Sequence, residues 1–138
     1  MLKSNLLHPE ILSALASNGH GAMILIADGN YPFNTGVNAA TKKVFLNLSP
    51  GMLSVTDVLK VIREAIPIES YFVMEPPDGA HQPIFDEFTE ILGKDIQVEK
   101  VKRFDFYKKA QSQENCLVIA TGERRRFANI LLVIGVVK

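Results

Sequence analysis

Short apolar runs recur along the chain and are separated by polar segments rich in glycine, asparagine and proline. The first run, residues 22–27, is apolar at every position, which is typical of a strand buried on both faces of a sheet. We expect this strand to be central in its sheet. Further strands are predicted at residues 44–48, 71–74, 96–101, 116–121 and 130–137.

Between these runs, apolar residues recur at the three- and four-residue spacing of amphipathic helices. Proline at a first helical position, as at Pro9, favours a helix start. Ser54 and Asp57 have the spacing of a capping box, in which each side chain bonds to the other residue's backbone. Helices are predicted from Pro9 to Asn18-Gly19, from Ser54 to Pro67, from residue 84 to Gly93, and from Asp105 to Ala110.

The alternation of strands and helices predicts an α/β fold: one domain over residues 1–138, in three layers, with a mostly parallel central sheet flanked by helices. A chain of 138 residues with 47% apolar residues can bury one sizeable core. In sheets of this kind, ligands bind beyond the carboxyl ends of the strands. Asp28 and the segment after Thr121 are both expected at that edge.

Composition and charge exclude several classes of function. The 15 basic residues balance the 15 acidic ones, so the net charge does not favour nucleic acid or an anionic membrane as a partner. The longest apolar run is far shorter than the roughly 20 residues that cross a bilayer, and we expect a cytoplasmic protein. Cys116 is expected in the core. His8, His20 and His81 lack the spacing of a zinc site, so we expect no metal or other cofactor.

The segment Gly19-His20-Gly21 places an imidazole on flexible backbone before the first strand, and Asp28 follows that strand. Both side chains handle protons and lie outside the predicted core, where catalytic groups are usually found. From the pattern alone, a solvated turn is the simpler interpretation of His20. Asp28 before Gly29 is equally well explained as a turn former.

Several segments taken together resemble the family of ribose pyranases and fucose mutarotases. They are Gly19-His20-Gly21, Ala27-Asp28, the RFDFY segment that begins at Arg103, and TGERRRFANIL, which begins at Thr121. The likeness covers nearly the whole chain and is closer to the fucose mutarotases. It implies an isomerase that interconverts anomers or ring forms of L-fucose or a related monosaccharide.

The resemblance also implies roles for particular residues. His20 matches the family's proton donor. Asp28 and Arg103 match sugar-contacting positions, and Phe127-Ala128-Asn129 matches the C-terminal sugar-binding tripeptide. Members of the family carry tyrosine where this chain has Phe127, so one phenolic hydroxyl is missing. Losing one hydrogen bond to a neutral sugar costs about 0.5–1.5 kcal/mol, which is up to roughly tenfold in binding or rate.

The separation of His20 and Asp28 bears on how such a site is assembled. If residues 20–28 formed one straight strand, the two residues would be about 26 Å apart, too far to contact one sugar. Either the glycines fold His20 back, or a site takes the two residues from different chains. The resemblance implies a ring-like homo-oligomer, commonly a decamer, with sites at subunit contacts, which agrees with the second option.

Two other classes of function stay open. A sugar-binding protein without turnover would keep the pocket and lose catalysis through Phe127. A phosphate-recognising module would rest on Gly122 and the arginines at 124–126, but no GxxxxGK or GxGxxG motif supports it. We expect the three arginines in a solvated loop or a subunit contact, outside the sugar site, and Tyr107 in packing.

Overall fold

The computed structural model describes residues 1–138 and contains six strands and four helices. The strands are β1 (Met23–Ala27), β2 (Lys42–Phe45), β3 (Ile68–Glu75), β4 (Gln97–Lys102), β5 (Asn115–Ala120) and β6 (Ile130–Ile134). The helices are α1 (Pro9–Ala16), α2 (Val55–Ala65), α3 (Pro83–Leu92) and α4 (Arg103–Ala110). Their order along the chain is the order predicted from the sequence.

All six strands form one sheet in the order β2-β5-β1-β6-β3-β4. Strand β6 runs antiparallel to its neighbours β1 and β3, whereas the other adjacent pairs are parallel. The expected mostly parallel α/β sheet is therefore confirmed. Strand β1 lies between β5 and β6 and is buried at all five positions, which confirms the prediction of a central strand covered on both faces.

Alternate residues of β1 enter two separate cores, because successive side chains of a strand point to opposite faces. Ile24 and Ile26 pack in the larger core with apolar residues of α1, α2 and α3. Leu25 and Ala27 pack on the other face with Phe106 of α4 and with the loop that follows β1. These two cores produce the predicted three layers.

Helix α2 begins as the sequence predicts. The backbone N–H of Asp57 donates to Ser54 Oγ over 3.0 Å, and the N–H of Ser54 donates to Asp57 Oδ2 over 3.1 Å. These hydrogen bonds hold the pKa of Asp57 below its usual value. No helix has the length and apolar character needed to span a membrane.

Several predicted boundaries are wrong. Strand β3 begins at Ile68 rather than at residue 71. Strand β2 covers 42–45 rather than 44–48, and β6 ends at Ile134 rather than at residue 137. Helix α4 begins at Arg103, so Asp105 is not its cap but lies in its first turn, where a carboxylate is favourable beside the helix N-terminus. Cys116 lies in β5 as predicted but is half-buried, and its thiol contacts the Met23 carbonyl oxygen at 3.3 Å.

Candidate active site at the carboxyl edge of the sheet

The carboxyl end of β1 and the amino end of the antiparallel strand β6 meet at one edge of the sheet, and this brings Asp28 and Asn129 together. The Asp28 N–H donates to Asn129 Oδ1 over 2.7 Å. The Asp28 carboxylate accepts the N–H of Asn30 at 3.0 Å and the N–H of Ala128 at 3.2 Å. Asp28 is only 2% exposed, so this carboxylate is held in one orientation.

Burial raises the pKa of Asp28 above its usual value, although the backbone N–H groups of Asn30 and Ala128 act in the opposite direction. Desolvation disfavours the charged form, whereas a hydrogen bond to a carboxylate favours it. Because each carboxylate oxygen receives one backbone N–H, each still has a lone pair that can accept a hydrogen bond from a ligand.

A cavity of about 770 Å³ opens beside this carboxylate. Four of the six candidate site residues line it: Asp28, Arg103, Phe127 and Asn129. Ala128 is fully buried and contributes its backbone N–H to Asp28. The other lining residues are Asn30, Tyr31, Met74, Pro76, Pro77, Asp78, Gln82, Tyr107 and Arg126. Residues that are distant in the sequence thus line one polar cavity.

Helix α4 supplies the cationic and aromatic wall of this cavity. Arg103 Nε donates to Tyr107 Oη over 3.2 Å, and the guanidinium also lies 5.4 Å from the centre of the Phe104 ring. The ring centres of Tyr107 and Tyr31 lie 5.4 Å apart, with the two rings nearly perpendicular. Tyr107 therefore packs, as expected, but it also lines the cavity. The one sequence signal for this pair was its four-residue spacing, which places both side chains on one helix face.

Tyr31 is a buried wall residue that the sequence analysis did not select. Its hydroxyl donates to the Gly36 carbonyl oxygen over 2.7 Å. Burial raises the pKa of this hydroxyl, and the nearby Tyr107 and Asp28 add to the effect. Tyr31 is therefore a neutral structural group of the cavity wall.

Phe127 has a backbone φ of 57°, in the left-handed region that few residues other than glycine adopt. Its ring lines the cavity, with the Arg126 guanidinium 5.7 Å from the ring centre. The expectation that the three arginines lie outside the site is therefore wrong for Arg126, because the left-handed residue turns the chain at the cavity wall.

Arg125 has a different environment, and it stabilises the loop that carries the tripeptide. Its backbone N–H and Nε each donate to Glu123 Oε1, over 3.1 and 3.0 Å, and its guanidinium also pairs with Glu87. Burial alone would raise the pKa of Glu123, but the hydrogen bonds and charge of Arg125 outweigh it, and the pKa is lowered. Glu123 Oε2 also accepts the Val55 N–H at 3.3 Å, which ties the loop to α2.

His20 lies at the opposite edge of the sheet. The N–H of the adjacent Gly21 donates to the carbonyl oxygen of Ile134, at the end of β6, and His20 Nε2 lies 2.9 Å from Glu69 Oε2. The length of β1, about 16 Å, separates this edge from Asp28, so the glycines do not fold His20 back within one chain. The side chains of His20 and Glu69 are 58% and 45% exposed. No sequence pattern indicated Glu69 as a partner of His20.

The remaining histidines have local structural roles. His8 Nδ1 accepts the N–H of Ile11 at 3.4 Å and caps α1. His81 Nε2 lies 3.0 Å from Asp86 Oδ1. No cluster of three or more histidine, cysteine, aspartate or glutamate side chains is arranged to hold a metal ion.

Comparisons with known proteins agree over the whole chain. The profile of the RbsD / FucU transport protein family matches residues 1–137. A fucose mutarotase from Danio rerio is 31% identical over 96% of this chain and 91% of its own length. A D-ribose pyranase from Staphylococcus haemolyticus is 31% identical over 99% of both chains. The solved structure of Bacillus subtilis RbsD complexed with D-ribose covers 100% of both chains, with a TM-score of 0.84 and 28% identity.

Proposed function

The chain belongs to the RbsD / FucU transport protein family, and from this premise we propose that it is a sugar mutarotase, an isomerase that interconverts anomers or ring forms of a monosaccharide. Relatives over nearly its full length are named fucose mutarotase and D-ribose pyranase. The observation that carries the proposal is the polar cavity of about 770 Å³ beside the Asp28 carboxylate. Pockets of roughly 300–1,000 Å³ are typical of small-molecule sites.

The cavity offers hydrogen-bonding groups of the kinds that sugar hydroxyls need. Asn129 Oδ1 is occupied by the Asp28 N–H, so the two N–H bonds of its amide are free to donate to a sugar oxygen. Arg103 supplies further donors, and the Asp28 carboxylate accepts from hydroxyls. We assign the substrate as L-fucose or a related monosaccharide held by these three side chains, with Phe127 and Ala128 forming the wall beside them.

We propose His20 as the acid-base catalyst. Mutarotation removes the proton from the anomeric hydroxyl and adds one to the ring oxygen, so the bond between the ring oxygen and the anomeric carbon breaks. The open-chain aldehyde closes by the reverse proton transfers after rotation of its carbonyl face. A histidine can take or give a proton at neutral pH, and positioned acid-base groups contribute about 100- to 10,000-fold. Proton transfer alone completes this cycle, so the proposal includes no cofactor.

His20 reaches the cavity from a second copy of the chain in this proposal. The pair of His20 with Glu69 is exposed at one edge of the sheet, and the cavity opens at the other. A homo-oligomer in which these edges meet, such as a ring, places the imidazole beside the sugar. Glu69 then orients the ring through the contact at 2.9 Å.

Exchange spectroscopy by NMR tests the proposed activity directly. Wild-type protein at micromolar concentration should accelerate anomer exchange of L-fucose or D-ribose relative to buffer. If no sugar in a panel of pentoses and hexoses exchanges faster, the mutarotase proposal is wrong.

A sugar-binding protein without turnover is the second candidate, because Phe127 lines the cavity without a hydroxyl. It is favoured if a sugar binds saturably and its exchange is not accelerated. In that case the substitution Phe127→Tyr should restore turnover.

A further inference from the structure

A second cavity, of about 530 Å³, lies beside the first at the same edge of the sheet. It is bounded by Gly29 and Asn30 after β1, by Asn47 and Ser49 after β2, and by the segment that follows β5. Asn30 lines both cavities. The two cavities are therefore neighbours along the carboxyl ends of adjacent strands, where ligands bind in sheets of this class.

The floor of the second cavity is built from backbone that cannot easily move. Gly51 N–H donates to the Gly122 carbonyl oxygen over 2.6 Å, and Gly122 N–H donates to the Leu53 carbonyl oxygen over 3.0 Å. A Cβ at Gly122 would lie 2.2 Å from the Met52 carbonyl oxygen, so only glycine fits there. The loop after β2 is thus fixed against the segment after β5, and the cavity is preformed.

The walls carry polar side chains that have no partner within the chain. The amides of Asn30 and Asn47, the Ser49 hydroxyl and the Arg124 guanidinium are exposed and make no side-chain hydrogen bond or ion pair with the protein. Amides and hydroxyls both donate and accept, as sugar hydroxyls do. The charge of the nearby Glu123 is already paired with Arg125.

Pro50 carries the one apolar side chain among the nine residues that line the second cavity. This lining does not suit an apolar ligand, and one guanidinium between amides and hydroxyls provides less charge than a paired-arginine phosphate site. Its donors and acceptors match the edge of a sugar ring.

We propose that the second cavity is a subsite for a second sugar unit, so that the substrate class includes reducing disaccharides. The reducing unit lies in the first cavity with its anomeric carbon free to react, and the glycosidic bond at another of its hydroxyls passes over Asn30. The second unit is held by Asn47, Ser49 and Arg124. This inference rests on the proposed mutarotase function and extends its substrate range.

Kinetics on matched sugars test the subsite. The exchange rate of each active monosaccharide is compared with that of a reducing disaccharide that has the same sugar at its reducing end. Asn47→Ala and Arg124→Ala should each lower kcat/KM for the disaccharide by about three- to tenfold, mainly through KM, because each removes hydrogen bonds to the second unit. Monosaccharide kinetics should not change. Arg63→Ala, which alters an exposed arginine of α2, is the matched control.

Saturation-transfer NMR tests binding separately from turnover. With the methyl glycoside of the same disaccharide, protons of both sugar units should receive saturation from the wild-type protein. In Asn47→Ala, the saturation transferred to the second unit should disappear. Saturation confined to the first unit would overturn the subsite, as would equal losses of kcat/KM on both substrates. A protein that accelerates no sugar contradicts the mutarotase proposal instead, and the binding measurement then still decides whether the second cavity holds a sugar.

Discussion

The two edges of the sheet differ in how deeply their polar side chains are buried. At the carboxyl edge, Asp28 and Asn129 are 2% and 3% exposed and are joined by a hydrogen bond of 2.7 Å beside a large cavity. At the other edge, His20 and Glu69 form a pair that is about half exposed. One edge has a buried, hydrogen-bonded polar pair beside a cavity, and the other presents an exposed imidazole beside a carboxylate.

In the proposed mechanism, one copy of the chain does not contain the whole site, because the binding groups and the imidazole lie at opposite edges of the sheet. Binding groups gain from burial, because fixed dipoles in a cavity are preorganised for the substrate. The imidazole is on an exposed surface, and we propose that it enters the cavity of a neighbouring copy. Substitutions at one edge at a time separate the contributions of the two edges.

The largest effect is expected at the exposed edge. His20→Ala should lower the mutarotation rate by about 100- to 10,000-fold, because it removes the proposed acid-base group. Sugar binding and folding should change little, since the side chain is 58% exposed. Anomer exchange by NMR and thermal unfolding measure the two properties. His81→Ala, at an exposed histidine that also pairs with a carboxylate, is the control, and equal losses in both variants would contradict the assignment.

At the buried edge, a substitution should affect both stability and binding. Asn129→Ala leaves the buried N–H of Asp28 without its acceptor, which should lower the free energy of unfolding by about 1–3 kcal/mol. Sugar affinity should fall as well. Urea denaturation and calorimetric titration measure these changes. The control is Asn47→Ala, which removes an exposed amide and should change the free energy of unfolding by less than about 0.5 kcal/mol. A similarly small change for Asn129→Ala would show that this edge is not preorganised.

The stability of the buried edge should depend on pH through Glu123. Its pKa is lowered in the folded state, so its contribution is present above the pKa of the unfolded chain and is lost as pH falls through the folded value. Glu123→Gln should lower the free energy of unfolding by about 1–3 kcal/mol at pH 7, and the difference from wild type should shrink as pH falls. Denaturation at several pH values measures this. Glu90→Gln, which alters an exposed residue, is the control. If the loss of unfolding free energy in Glu123→Gln grew as pH fell, the proposed role of the Glu123 carboxylate would be contradicted.

The smallest effect is expected from restoring one hydroxyl in the cavity. Phe127→Tyr adds a hydroxyl to a residue that lines the cavity, and should raise kcat/KM for a monosaccharide by up to about tenfold. Phe104→Tyr adds the same group outside the cavity and should have no effect. If both variants behave like wild type, the residue at position 127 does not limit the reaction.

Local signals explain which features could be predicted from the sequence. The capping box at Ser54 and the uniformly apolar run of β1 depend on neighbouring residues, and both predictions are confirmed. The antiparallel direction of β6 depends on pairing between distant segments. For the same reason, no local pattern showed that Glu69 pairs with His20, or that the turn at Phe127 brings Arg126 to the cavity.

In the proposed mechanism, the cavity of one copy works with the imidazole of another. The most direct test mixes two impaired variants, His20→Ala and Asp28→Asn, in one oligomer by co-expression. The His20→Ala chain keeps an intact cavity, and the Asp28→Asn chain keeps an intact His20. If each site takes its cavity from one copy and its imidazole from another, about a quarter of the sites in randomly mixed assemblies contain both intact parts, and mutarotation should reappear. Activity that stays at the average of the two separate variants would contradict a site built from two copies.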